Sequence, residues 1–91
     1  MISDAELNRA VNALSTTLRD QRPAELDAER CQQIVDGALG GERKLLVRVH
    51  GAAGELVTAD AAKRVGSISS ADGGWKVTRD VDASGSGWAQ P

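Results

Sequence analysis

His50 and Cys31 carry the most reactive side chains of the sequence, and each is the single residue of its type among 91. A histidine acts as a general base when an acid orients one ring nitrogen and a nucleophile lies within reach of the other. The residues around His50 supply neither. It closes an alternating run beside Gly51, so a solvated histidine at a strand end is expected. Cys31 falls on an apolar helical stripe, where a free cysteine behaves as a small hydrophobe. A nucleophilic thiol needs exposure and a neighbour that lowers its pKa. One Cys with one His is too few for a structural zinc site within one chain. A lone Cys also closes no internal disulfide, which points to a reducing cytoplasm.

Two strings look like ligand loops and fail on inspection. Asp80-Val81-Asp82-Ala83-Ser84-Gly85 resembles the opening of an EF-hand loop. The twelfth position of such a loop is a bidentate Glu, and here it is Pro91. Gly37 to Lys44 holds glycines and a lysine without P-loop spacing, and it leads from helix to strand rather than strand to helix. The string G-x-S-x-G of a nucleophile elbow does not occur. No catalytic, cofactor-binding or metal-ligating residue is assigned, and no cofactor is implied.

Recognition chemistry has better candidates. Trp75 and Trp88 are the only aromatic side chains apart from His50, and tryptophan is enriched at binding hot spots. Trp75 opens a strand after a glycine turn. Trp88 lies in a Gly/Ser-rich tail, where it either folds back onto the core or anchors a partner. Arg79 interrupts the apolar face of its strand, which marks that end as a sheet edge. Trp75, Trp88 and Arg79 are therefore the partner-binding candidates.

The net charge of −2 gives no surplus of cations for phosphate neutralisation, so nucleic acid is an unfavoured partner. The N-terminus lacks the basic and apolar regions of a signal peptide, and no apolar run approaches the ~20 residues that span a bilayer. A cytoplasmic, non-membrane protein is expected. The Ala/Asp/Arg/Gly-rich vocabulary associates it with bacterial or phage proteins.

The elements that position these residues follow from patterning. Residues 3–20 read as an amphipathic helix. Ser3 and Glu6 form a capping box, with Ile2 and Leu7 as the staple across it. Leu7, Ala10, Val11, Leu14 and Leu18 make one stripe. Pro23 ends the helix by about Gln21. A second helix reaches Leu39, with Gly40 as its C′ residue. Its start is either Pro23 or an Asp27 N-cap with a Leu26–Cys31 staple, and the placement of Leu26 favours Asp27. Its stripe is Ala28, Cys31, Ile34, Val35, Ala38 and Leu39. Gly37 inside this helix suggests close approach to the first.

Residues 44–50 are the most β-prone run, with Leu45, Val47 and Val49 on one face and Lys44, Leu46, Arg48 and His50 on the other. After a turn at 51–54, residues 55–58 read as a short strand of a hairpin. Residues 58–64 read as one helical turn or a loop, residues 65–69 as a weak strand and 70–74 as a turn. Residues 75–81 form a further strand with Trp75, Val77 and Val81 on one face.

The expected fold is α+β: an N-terminal helical hairpin packed on one face of a small, mainly antiparallel sheet of three to four strands. The order is ααβββ or ααββ(α)ββ. Residues 1–81 form one domain and 82–91 a flexible tail. Without Phe or Tyr the core is thin, and a homodimer is one way to thicken it. The favoured function is a non-catalytic protein-interaction module: a small cytoplasmic regulator, adaptor or inhibitor that binds a larger protein or homodimerises. One alternative is a winged-helix-like DNA-binding regulator whose wing is the 65–81 hairpin, with Lys63, Arg64, Lys76 and Arg79 as its charge. A second is a small enzyme or enzyme subunit using His50.

Overall fold

The computed structural model describes residues 2–19, 26–71 and 74–80. Val81, the tail with Trp88, and the Pro23 segment lie outside them.

Helix α1 spans Asp4–Leu18. Its start is the capping box: Ser3 N–H donates to Glu6 Oε1 at 3.0 Å, and Glu6 N–H donates to Ser3 Oγ at 3.1 Å. The pair satisfies donors that every helix start leaves without a partner. Leu7, Ala10, Leu14 and Leu18 are buried, and Ile2 packs half-buried against the core.

Helix α2 spans Ala28–Ala38, and its N-cap is Asp27, whose carboxylate accepts from Arg30 N–H at 3.2 Å. This is the later of the two starts. It lets Leu26 and Cys31 bury together in the core, which a start at Pro23 would prevent. The helix ends in a Schellman motif: Gly41 N–H reaches Asp36 C=O at 2.8 Å, and Gly40 N–H reaches Gly37 C=O at 3.3 Å. Gly40 has φ +74°, a left-handed geometry that favours glycine. Gly37 corrects an expectation. It is exposed, and a methyl group added there would meet nothing within 4 Å, so it does not mediate close approach to α1. Ala28 is likewise exposed rather than part of the buried stripe.

Four strands follow: β1 (Leu45–His50), β2 (Ala53–Thr58), β3 (Arg64–Ala71) and β4 (Gly74–Arg79). They form an antiparallel meander in the order β1-β2-β3-β4. The first hairpin is tighter than expected, with His50 opposite Ala53 and only Gly51 and Ala52 between them. Residues 58–64 hold no helix. Thr58 remains in β2, its N–H donating to Lys63 C=O at 2.8 Å and its Oγ1 accepting from Lys63 N–H at 3.0 Å. Ala62 N–H also donates to Thr58 C=O at 2.9 Å, so the loop winds a single turn without continuing as a helix, and Ala62 takes φ +53° at its end. At Leu56–Val57 the register shifts, with Leu56 opposite Gly66 and Val57 opposite Arg64. Val65 is the extra residue of this bulge and turns into the core.

The result is a two-layer α+β fold. Both helices cover one face of the sheet, and Leu7, Leu14, Val35, Leu45, Leu56 and Ile68 meet between the layers. Each such side chain contributes about 1.5–3 kcal/mol when withdrawn from water. Leu45 is fully buried, whereas Val47 and Val49 are half-buried, because β1 is an edge strand. The opposite face is not wholly wet. Leu46 lies there beside its cross-strand partner Val57, which is 2% exposed.

Candidate functional site

The polar side chains divide into those that tie the layers together and those that face solvent. Gln32 of α2 does the first at the outer edge of β1. Its Nε2 donates to Leu45 C=O at 2.8 Å, and its Oε1 accepts from Val47 N–H at 2.9 Å. The carboxamide thus mimics one residue of a fifth strand. Its orientation is fixed by Asp36, which accepts from Nε2 at 3.0 Å, and Asp36 is in turn held by the Arg43 guanidinium at 3.0 and 3.2 Å. Sequence reasoning missed this network. The available signal was a polar residue beside Cys31 of the buried stripe, with an acid one turn later.

A second tie joins α1 to the start of β1. The Lys44 ammonium contacts the Glu6 carboxylate closely and Glu42 at 3.5 Å. The Lys44 hydrogen bond, with a further one from the Ser3 backbone, holds Glu6 at about 2, well below the ordinary carboxylate value. The same contact raises the pKa of Lys44. A shallow depression of about 200 Å³ lies here, lined by Ile2, Arg43, Lys44, Ala59 and Asp60. Both of its cations are already neutralised by acids of the fold, so it offers little to an anionic ligand.

The reactive candidates are kept apart. His50 is 72% exposed on the helix-free face, with Nε2 4.0 Å from Glu55 Oε2. Cys31 is buried, and burial pushes its thiol pKa up, with the Asp27 charge adding to the shift. Among the described residues no three His, Cys, Asp or Glu side chains gather as a metal site would require. No helix among them is long and apolar enough to cross a membrane.

Of the recognition candidates, the structure places Trp75 and Arg79 together on β4. Trp88 and the string Val81–Gly85 lie outside the described residues. Trp75, Val77 and Arg79 project toward the helices. Trp75 and Val77 pack half-buried against the core. The Arg79 guanidinium donates to Asn8 Oδ1 at 2.7 Å and to Asp4 Oδ1 at 2.5 Å. It thereby fastens α1 to the edge strand while staying 25% exposed. Val11 follows Asp4 and Asn8 on the same ridge of α1 and is also half-buried. Arg64, another candidate cation, pairs with Asp80 at 3.4 Å.

The outer edge of β4 differs from that of β1. Asp80 N–H donates to Val65 C=O, and Thr78 C=O lies 2.9 Å from where a Cβ on Gly66 would sit. Even-numbered residues therefore bond to β3, and the backbone groups of Trp75, Val77 and Arg79 point away from the sheet. Among the described residues nothing hydrogen-bonds to them. The candidate site is this open strand edge with its rim of Val11, Trp75, Val77 and Arg79. Such an edge offers main-chain donors and acceptors for strand addition, and flanking side chains for selectivity. Comparisons of the chain with protein-family models, with curated proteins and with solved structures return no match.

Proposed function

We propose that the chain is a non-catalytic protein-interaction module, a small cytoplasmic regulator, adaptor or inhibitor that acts by presenting the β4 edge and the adjoining ridge of α1 to a protein partner. The observation that carries this reading is the contrast between the two sheet edges. The β1 edge is capped by Gln32. The β4 edge has outward backbone groups with no hydrogen bond among the described residues beside half-buried apolar side chains. Exposed strand edges are a hazard that folded proteins ordinarily cover, shorten or charge. An edge with no partner among the described residues, beside Trp75, fits a surface in use. The neutralised cations near both helices and the net charge of −2 weigh against a nucleic-acid partner.

The test is affinity capture from source cells with the full chain and with Val77→Pro as baits. Proline removes the outward N–H at the middle of β4, a position where an edge strand tolerates it. A partner held by the wild-type bait and lost by Val77→Pro, with both baits equally folded by circular dichroism, is expected. Partners captured equally by both baits, or a measured turnover abolished by His50→Ala, overturn the reading.

A further inference from the structure

We propose that a second copy of this chain occupies the β4 edge, pairing β4 with its symmetry mate about a two-fold axis through Val77 to give a continuous eight-stranded sheet. This rests on the reading of the β4 edge as a binding surface and names its occupant. Because the outward backbone groups belong to Trp75, Val77 and Arg79, an antiparallel partner must set odd residues opposite odd residues. Symmetric registers centred on Trp75 or Thr78 keep only three residues of β4 paired within the strand, and those centred on Lys76 or Val77 keep five. Centring on Lys76 sets two ammonium groups directly opposite one another, which destabilises a pair of strands. Centring on Thr78 runs past Arg79, the end of β4, and leaves Trp75 with no partner inside the strand.

Centring on Val77 pairs Trp75 through Arg79 within the strand, leaves only Gly74 opposite a residue beyond its end, and removes the like-charge contact. Val77 meets Val77 of the other copy. Lys76 then faces Thr78 on the helix-free side, where both are exposed. Trp75 faces Arg79 on the helix side, an arrangement that suits stacking of a guanidinium on an indole. The two contacts occur twice by symmetry, as an isologous interface requires. The β1 edge is less open to the same use, since Gln32 already takes Leu45 C=O and Val47 N–H there.

The test uses the full chain and substitutions at exposed Thr78, which do not enter the core. Sedimentation equilibrium over a wide concentration range measures the dimer constant for wild type, Thr78→Glu and Thr78→Lys. In the Val77 register, Thr78→Glu sets a carboxylate opposite each Lys76 of the other copy and tightens the dimer roughly two- to thirty-fold. Thr78→Lys loosens it by a similar factor, and Lys76→Glu with Thr78→Lys restores it. Urea unfolding of each variant checks that the fold is unchanged. A wild-type chain and Thr78→Glu that stay monomeric throughout overturn this dimer, while the capture experiment still decides the broader reading. Loosening by both charges at residue 78 indicates the Thr78-centred register, and insensitivity to both indicates another interface; either outcome overturns the proposal.

Discussion

Gln32→Ala tests whether one side chain protects the β1 edge. The substitution deletes hydrogen bonds of 2.8 Å to Leu45 C=O, 2.9 Å from Val47 N–H and 3.0 Å to Asp36. A net value of about 0.5–1.5 kcal/mol each sets the upper range. Gln32 is half-buried, so water replaces part of what is lost, and Ala is the slightly better helix former. The expected loss is about 1–2 kcal/mol, which in a domain of this size lowers Tm by roughly 5–15 °C. The local signature is sharper than the global one. Hydrogen exchange at the Val47 amide should accelerate more than at Leu46, whose amide lies inside the β1–β2 ladder. Gln32→Glu adds a sign test. It keeps an acceptor for Val47 but sets a carboxylate against Leu45 C=O and Asp36. It should be less stable than Gln32→Ala near neutrality and recover toward it as acid restores a donor. Unchanged exchange at Val47 together with an unchanged Tm would refute the edge-capping role.

Gly66→Ala should destabilise by about 1–3 kcal/mol in urea unfolding, because the new methyl overlaps backbone: its Cβ would sit 2.9 Å from Thr78 C=O and 3.2 Å from Leu56 Cδ1. Ala62→Gly should stabilise by roughly 0.5–1 kcal/mol, since φ +53° costs an alanine about 1–2 kcal/mol and glycine gives back part of that in chain entropy; a loss of stability would refute strain in the loop. Glu6 is held at about 2, against 4.5 ordinarily. A depressed carboxylate contributes stability above its unfolded pKa and loses it as pH falls through its folded one. The difference in urea midpoint between wild type and Glu6→Gln should therefore be fully developed above about pH 5 and shrink toward pH 2; a constant difference across that window would remove the Lys44–Glu6 contact as the cause.

The local elements were legible because local chemistry specifies them. Ser3 with Glu6, and Gly40 after Leu39, name helix ends by the hydrogen bonds they satisfy. The alternation in Leu45–Val49 names a face. Residues 58–64 are less so: the Ala-rich composition is compatible with a helical turn, and a single one forms from Thr58 C=O to Ala62 N–H, but Thr58 is held in β2 by bonds to Lys63 across the loop, so no helix continues. Gly37 misled because a helix-interior glycine has two readings, close approach or mere tolerance, and only a neighbour's position separates them. The site was legible in part. Arg79 breaks the apolar face of its strand in the sequence, and β4 lies at the edge of the sheet. Its bonds to Asp4 and Asn8, more than 70 residues earlier, leave no trace in local pattern. The cap on the other edge depends on Gln32 meeting a strand that begins 13 residues later, which periodicity does not encode.

The two edges also constrain one another. A four-stranded meander has two open ends, and a chain with both exposed would add copies at each and propagate as a fibre rather than close. Capping β1 with a carboxamide held by Asp36 and Arg43 removes one end. An isologous pairing at β4 then closes the assembly at two copies, because the axis consumes the second end of both chains at once. On this argument Gln32→Ala should do more than soften the fold. By freeing Leu45 C=O and Val47 N–H it reopens the β1 edge, and light scattering should show concentration-dependent growth beyond a dimer. Adding Thr78→Lys to Gln32→Ala should shorten those assemblies by weakening the β4 contact. If the single variant loses stability but never exceeds the wild-type assembly size, edge capping by Gln32 is a matter of stability alone, and control of assembly lies elsewhere.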